Sequence, residues 1–191
     1  MTRRASRAIV SRVVYRKQMK RWEQPGDARF LTFSCYRNLP LFRNDAIKDC
    51  FVSYLGIACD SPDVQLLAWV VMPEHVHLLL LPHVERLTVR QFAQNLKRIV
   101  ACRVLHRWRE LDAPVLAKLV DHGGQQHFWQ ADGGYDHNVR SDASLSSKVQ
   151  YVHDNPVAAE LVAAPCDWLW SSARWYEGRD DYLGPPIAAP L

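Results

Sequence analysis

Between residues 64 and 81 the chain carries two apolar runs, Val64–Val71 and residues 75–81, with only Met72, Pro73 and Glu74 between them. Each run has the length of one strand crossing a domain, and each is too short to span a bilayer. Three connecting residues leave no room for a crossover helix, so the runs are predicted to pair as an antiparallel hairpin. The flanks then constrain the fold. Residues 29–36 alternate apolar and polar side chains as a strand does. Residues 45–59 place Ile47, Phe51, Tyr54, Leu55 and Ala58 at helical spacing, and Asp60-Ser61-Pro62-Asp63 breaks the pattern. After the hairpin, Val89, Phe92, Leu96, Ile99, Val100 and Val104 recur at three- and four-residue steps, which predicts a helix over 88–109. Residues 112–126 contain Pro114 and Gly123-Gly124 and read as an irregular linker. Residues 127–140 read as a fourth strand interrupted by Gly133-Gly134. Residues 143–154 read as a helix that stops near Asn155, because Pro156 disfavours helical backbone in its predecessor. The order β-α-β-β-α-β-α predicts an α+β fold, a ferredoxin-like or RRM-like sandwich. Its antiparallel sheet would carry helices on one face and leave the other free for a site or partner. The expected organisation is a basic arm over 1–25, one domain over 26–176, and a Pro-rich tail over 177–191.

The second run of the hairpin holds the chemistry. Side chains at i and i+2 of a strand point the same way, so His75 and His77 share a face while Val76, Leu78 and Leu80 take the other. The apolar set can enter the core as the imidazoles project together. Two neutral imidazoles that close can hold one divalent ion. His83, past Pro82, is poorly placed as a third ligand. The helix over 143–154 is a better source. At 100° per residue, Leu145, Val149 and Val152 form its buried side, and Lys148, Tyr151 and Asn155 lie together along one flank.

Charge and cysteine usage narrow the function classes. Net charge is +4, but residues 1–21 hold eight Lys or Arg, Arg16 and Lys17 among them, and no acid. The rest carries 16 bases against 20 acids. A basic arm on a mildly acidic body reads as a nucleic-acid handle or as a solubilising tail. The helix over 88–109 contains Arg90, Lys97, Arg98, Arg103, Arg107 and Arg109 and no acid, so residues off its apolar stripe are candidates to hold phosphates. Phe128, Trp129 and Tyr135 are candidate stacking surfaces for extruded bases. Five cysteines at irregular spacing, with no C-x-x-C pair, argue for free thiols in a reducing compartment. No apolar signal core is present, so a cytoplasmic protein without a membrane partner is expected.

Taken in order, "MPEHVHLLL", "FWQ…YDHNVR" and "YVHDNPVAAELV" resemble the REP-associated tyrosine transposases. These are single-tyrosine members of the HUH endonuclease group, HUH standing for His-hydrophobic-His. The likeness runs over residues 30–175. It implies His75 and His77 as metal ligands, Tyr151 as nucleophile and Asn155 as third ligand. It further implies transesterification of single-stranded DNA through a 5′-phosphotyrosine, at hairpins of repeated extragenic palindromes, by a nucleoid-associated protein of the bacterial cytoplasm. Two nitrogens and an amide oxygen with open positions suit Mg²⁺ or Mn²⁺ better than a closed zinc site. A free phenol titrates near 10 and is mostly protonated at neutrality, so its ionisation needs help. Lys148 is the candidate for that, and Glu74 the candidate to orient an imidazole or a water. The resemblance implies a monomer or a homodimer: related transposases form dimers that exchange the tyrosine helix, REP-associated members can act as monomers, and the linker lengths leave both open. Members often read "NPVRAGLV"; here the arginine is absent and Glu160 replaces the glycine, so one local DNA contact is not expected.

Two rival readings make different demands. A histidine-triad hydrolase needs a third histidine where this chain has Leu79. A non-catalytic hairpin DNA or RNA binding module would keep the sheet and the basic residues, but has no use for His75, His77, Tyr151 and Asn155 together.

Overall fold

The computed structural model describes residues 27–61, 63–83 and 88–188. The basic arm, with Arg16 and Lys17, lies outside the described residues. Elements follow in the order β1 (Ala28–Cys35), α1 (Asp45–Cys59), β2 (Val64–Val71), β3 (His75–Pro82), α2 (Val89–Glu110), β4 (Trp129–Val139), α3 (Asp142–Ala158) and a short α4 (Ala173–Tyr176). The four strands form one antiparallel sheet in the order β2-β3-β1-β4. This is the strand order of two interleaved β-α-β units, and the α+β sandwich read from the sequence is the fold observed.

The sheet is covered on both faces, which explains why the hairpin is apolar almost throughout. On one face, Leu31, Phe33, Val76, Leu78 and Leu80 meet Phe51 and Leu55 of α1 and Phe92, Leu96 and Val100 of α2. On the other, Phe30, Leu67, Val70 and Leu79 meet Val149 and Val152 of α3. Fully burying a side chain of this size contributes about 1.5–3 kcal/mol, so each face anchors its helices independently. Register slips between Leu66 and Ala68. That bulge turns Leu67 and Ala68 to the same side, toward α3.

The arrangement departs from the sequence expectation in two places and agrees with it in a third detail. The helices do not all take one face: α1 and α2 do, while α3 lies on the second face, which is therefore not free. β4 is one strand over Trp129–Val139, and the interruption expected at Gly133-Gly134 is present in it as a bulge: Phe33 lies opposite Gly134 but Cys35 lies opposite Trp129. And α3 does not stop at Asn155; Pro156 lies inside it. Proline removes one helical donor, yet Asn155 Nδ2 donates to the Tyr151 carbonyl at 2.6 Å and Ala159 N–H to the Asn155 carbonyl at 3.0 Å. These bonds carry the helix past the proline.

Residues beyond α3 return to the outer edge of β2, where Ser171 bridges Val70. The C-terminal segment is docked as far as Ala188, whose N–H reaches the Leu66 carbonyl at 2.9 Å. Among the described residues, no helix is long and apolar enough to cross a membrane.

Candidate active site

The site is built where β3 begins. His75 and His77 turn their Nε2 atoms toward each other at 3.0 Å. Both Nδ1 atoms are held from behind: His75 Nδ1 lies 2.8 Å from Glu74 Oε1 and His77 Nδ1 lies 2.9 Å from Thr32 Oγ1. A carboxylate only accepts, so Glu74 selects the His75 tautomer with its proton on Nδ1. That leaves the Nε2 lone pair facing forward. His77 is 5% exposed. Burial, and after it the nearby His75, push its pKa down to about 3, against the Asn155 side chain, whose oxygen favours a protonated ring and pulls it up. The ring is therefore neutral at physiological pH, as ligation requires.

This donor set fits a divalent cation. Two nitrogens bound at about 2.1 Å with a right-angled bite stand about 3.0 Å apart. Partners on the distal ring nitrogens orient ligating imidazoles in the same manner. Among the described residues, no group of three His, Cys, Asp or Glu surrounds a common point. A third protein donor would be of another type, and Asn155, whose side chain is near enough to His77 to raise its pKa, is the candidate amide.

α3 supplies the rest. Its docked side, Val149 and Val152, fixes the flank that looks over the histidines. Tyr151 is 48% exposed. Its ring lies edge-on to His77 at 5.5 Å and to Phe30 at 5.8 Å between centroids. Phe30 stacks on His77 at 5.1 Å and so forms the floor beneath both. Lys148 Nζ lies 4.9 Å from the Phe30 centroid and 5.1 Å from that of Tyr151. One flank of one helix thus presents an ammonium, a phenol and an amide to an imidazole pair.

Thr32 and Phe30 were missed by sequence reasoning. The strand period puts both on one face of β1. Only the register, with Thr32 opposite His77, brings that face to the site.

The basic residues of α2 lie elsewhere. Arg90, Arg98, Arg103 and Arg107 are exposed, but on the α1–α2 face, with the sheet between them and Tyr151. Arg107 pairs with Glu110 at 3.2 Å and Arg109 Nε donates to Gln126 at 2.9 Å. Lys97 is half-buried, its Nζ 5.6 Å from the Phe33 centroid and 5.8 Å from that of Trp129, and burial lowers its pKa. Phe128 and Trp129 are core residues rather than stacking platforms; the Tyr135 side chain lies outside the described residues.

Comparison with known proteins places the chain in a family. A curated Haemophilus influenzae protein named as a REP-associated tyrosine transposase is 26% identical over 156 residues, which cover 77% of this chain and 80% of that one. A solved REP-associated tyrosine transposase bound to a REP hairpin superposes with a TM-score of 0.58 at 19% identity, covering 91% of this chain and 99% of that chain. A Deinococcus radiodurans crystal structure described as a transposase gives a TM-score of 0.44 at 18% identity, over 72% of this chain and 96% of that one. Residues 27–155 match the family described as "Transposase IS200 like". That stretch holds all four strands, both histidines, Tyr151 and Asn155, and the chain belongs to the IS200-like transposase family.

Proposed function

We propose that this protein cleaves and rejoins single-stranded DNA beside hairpins, with Tyr151 as the nucleophile and a divalent cation held by His75, His77 and Asn155. The observation that carries the reading is the exposed Tyr151 ring set edge-on against His77, whose Nε2 faces that of His75. The likeness to REP-associated relatives, one of them solved with a REP hairpin, supports palindromic repeats as substrate.

The chemistry follows from the side chains. The Tyr151 hydroxyl gives up its proton to solvent water, and the ammonium of Lys148 stabilises the phenolate charge. The phenolate oxygen attacks phosphorus, the P–O3′ bond breaks, and the departing oxygen takes a proton to become a 3′-hydroxyl. The phosphate stays on Tyr151 as a 5′-phosphotyrosine, so a second 3′-hydroxyl can reverse the step without ATP. A bound Mg²⁺ or Mn²⁺ would polarise the scissile phosphate and offset its developing charge. Glu74 and Thr32 hold the two imidazoles in place, and Phe30 stacks on the His77 ring and covers that face. Arg90, Arg98, Arg103 and Arg107, with Arg16 and Lys17 of the arm, supply positive charge for DNA phosphates.

The test is incubation with a labelled hairpin carrying a single-stranded flank, in Mn²⁺. A covalent protein–DNA band on a denaturing gel is expected, absent with Tyr151→Phe and with His75→Ala, while native-gel retention persists in both. Retention by wild-type protein with no covalent band across a set of hairpins would instead establish the binding-module reading.

A further inference from the structure

The docked side of α3 is apolar except at one place. His153 follows Tyr151 by two residues, about 200° around the helix, so it faces inward where the tyrosine faces outward. It is 6% exposed. Its Nε2 lies 2.8 Å from Ser172 Oγ. Ser172 is fully buried. Its Oγ accepts from the Trp69 N–H at 2.9 Å, and the Ser172 N–H donates to the Trp69 carbonyl at 2.9 Å. A single hydroxyl therefore joins the tyrosine helix to the middle of β2.

The segment that carries Ser172 is itself fixed along β2. Trp168 Nε1 donates to the Val71 carbonyl at 3.0 Å, and Val71 N–H to the Trp170 carbonyl at 2.9 Å. Tyr176 donates its hydroxyl to the Leu67 carbonyl at 2.9 Å while its ring meets His153 at 4.9 Å. At the far side Trp170 Nε1 donates to Asp49 at 2.8 Å, and Lys48 Nζ sits 3.8 Å from the Trp170 centroid. The segment thus spans from α1 to α3, and it lies beyond the residues matched by the family.

We propose that His153 and Ser172 are positioning residues that lock the rotation of α3 and thereby place the Tyr151 hydroxyl for attack. The inference rests on the reading of Tyr151 as nucleophile. Apolar packing through Val149 and Val152 tolerates a small roll of the helix; a directional hydrogen bond between buried groups does not. With a helix about 10–12 Å across, a roll of about 20° moves a side-chain tip by about 2 Å. Misplacement of about 1 Å at a reacting atom costs on the order of 100-fold in rate. Both groups of the lock are buried, so it acts on the chemical step and not on affinity.

The full chain is tested in Mn²⁺ with a labelled hairpin carrying a single-stranded flank. Single-turnover adduct formation at saturating protein, hairpin Kd and Tm are measured for Ser172→Ala, His153→Ala and His153→Gln. The alanine variants are expected to form adduct about 10- to 100-fold more slowly, with hairpin Kd within about twofold of wild type. His153→Gln, whose amide has the reach of Nε2, is expected to recover most of the rate. Should an alanine variant fail to fold, Tyr176→Phe removes only the outer hydroxyl anchor and is expected to slow adduct formation with Kd unchanged. Rates unchanged in the folded variants, or rate and affinity falling together in proportion to the unfolded fraction, would overturn the lock. Absence of adduct from wild-type protein would overturn the nucleophile assignment and this inference with it.

Discussion

Thr32 touches neither substrate nor solvent-facing chemistry, yet its hydroxyl is one of two oxygens that decide how the histidine pair presents itself. With Oγ1 at 2.9 Å from His77 Nδ1, it fixes the ring's rotation about χ2. Thr32→Val keeps the shape and the β-branch while removing the oxygen. Loss of such a partner costs about 10- to 100-fold in metal affinity. We expect Mn²⁺ dependence of adduct formation to shift upward by at least about tenfold, with hairpin retention unchanged. Glu74→Gln should shift it less, because Glu74 is half-exposed and its His75 bond competes with water. An unshifted Mn²⁺ titration for Thr32→Val would remove the hydroxyl from any role in ligation. The contrast between the two partners also shows where sequence reasoning reaches. His75, His77 and Glu74 are related by spacings of one and two residues, and Lys148, Tyr151 and Asn155 by three and four. Local periodicity alone therefore groups them. Thr32 is 45 residues from His77, and Phe30 is further still. No local rule links them; only the strand register does.

α3 shows the same limit for a whole element. Its apolar stripe, its buried side and its functional flank are all legible from a 3.6-residue period. Its end is not, because the proline rule describes backbone preference and omits the side-chain bond that Asn155 makes to the carbonyl of Tyr151. The helix instead ends at Ala158, and beyond its cap Glu160 adopts φ 56°, with Leu161 N–H closing back on the Pro156 carbonyl at 2.9 Å. This is the left-handed position that ends many helices, and glycine is favoured there because any Cβ is crowded. The family pattern that the sequence resembles has glycine at this point, and a backbone reason accounts for it without a DNA contact. Glu160→Gly is therefore expected to raise stability by about 0.5–1 kcal/mol: the left-handed conformation costs an L-residue about 1–2 kcal/mol, partly offset by the greater entropy of an unfolded glycine. Chemical denaturation gives the number. A stability loss would mean that the Glu160 side chain contributes more than its backbone strain takes away.

At the scale of the molecule, the sheet separates two surfaces. The two β-α-β units follow the right-handed rule for such crossovers, which puts α1 and α2 on one face. α3 follows the last strand and leads back to no parallel strand, so that rule does not bind it. Its apolar stripe demands only an apolar surface, and the face left over provides one. For this reason the sequence order predicts the sheet but not the side taken by the helix that carries the tyrosine. The consequence for DNA is specific. Arg90, Arg98 and Arg103 are exposed on α2, and among the described residues no acid forms an ion pair with them, but they cannot reach a phosphate attacked by Tyr151. If they bind DNA, they hold a part of it that wraps past the sheet edge, and they contribute to affinity alone. The variant Arg90→Gln, Arg98→Gln, Arg103→Gln should then weaken hairpin binding and lower the slope of log K against log salt by about 0.9 for each phosphate that is no longer neutralised. Its adduct rate at saturating protein should equal that of wild type, the converse of the Ser172→Ala pattern. An unchanged salt slope would free α2 of any DNA role and leave the arm over residues 1–25 as the source of charge, whereas a fall in the saturated rate would mean that charge on one face reaches the chemistry on the other.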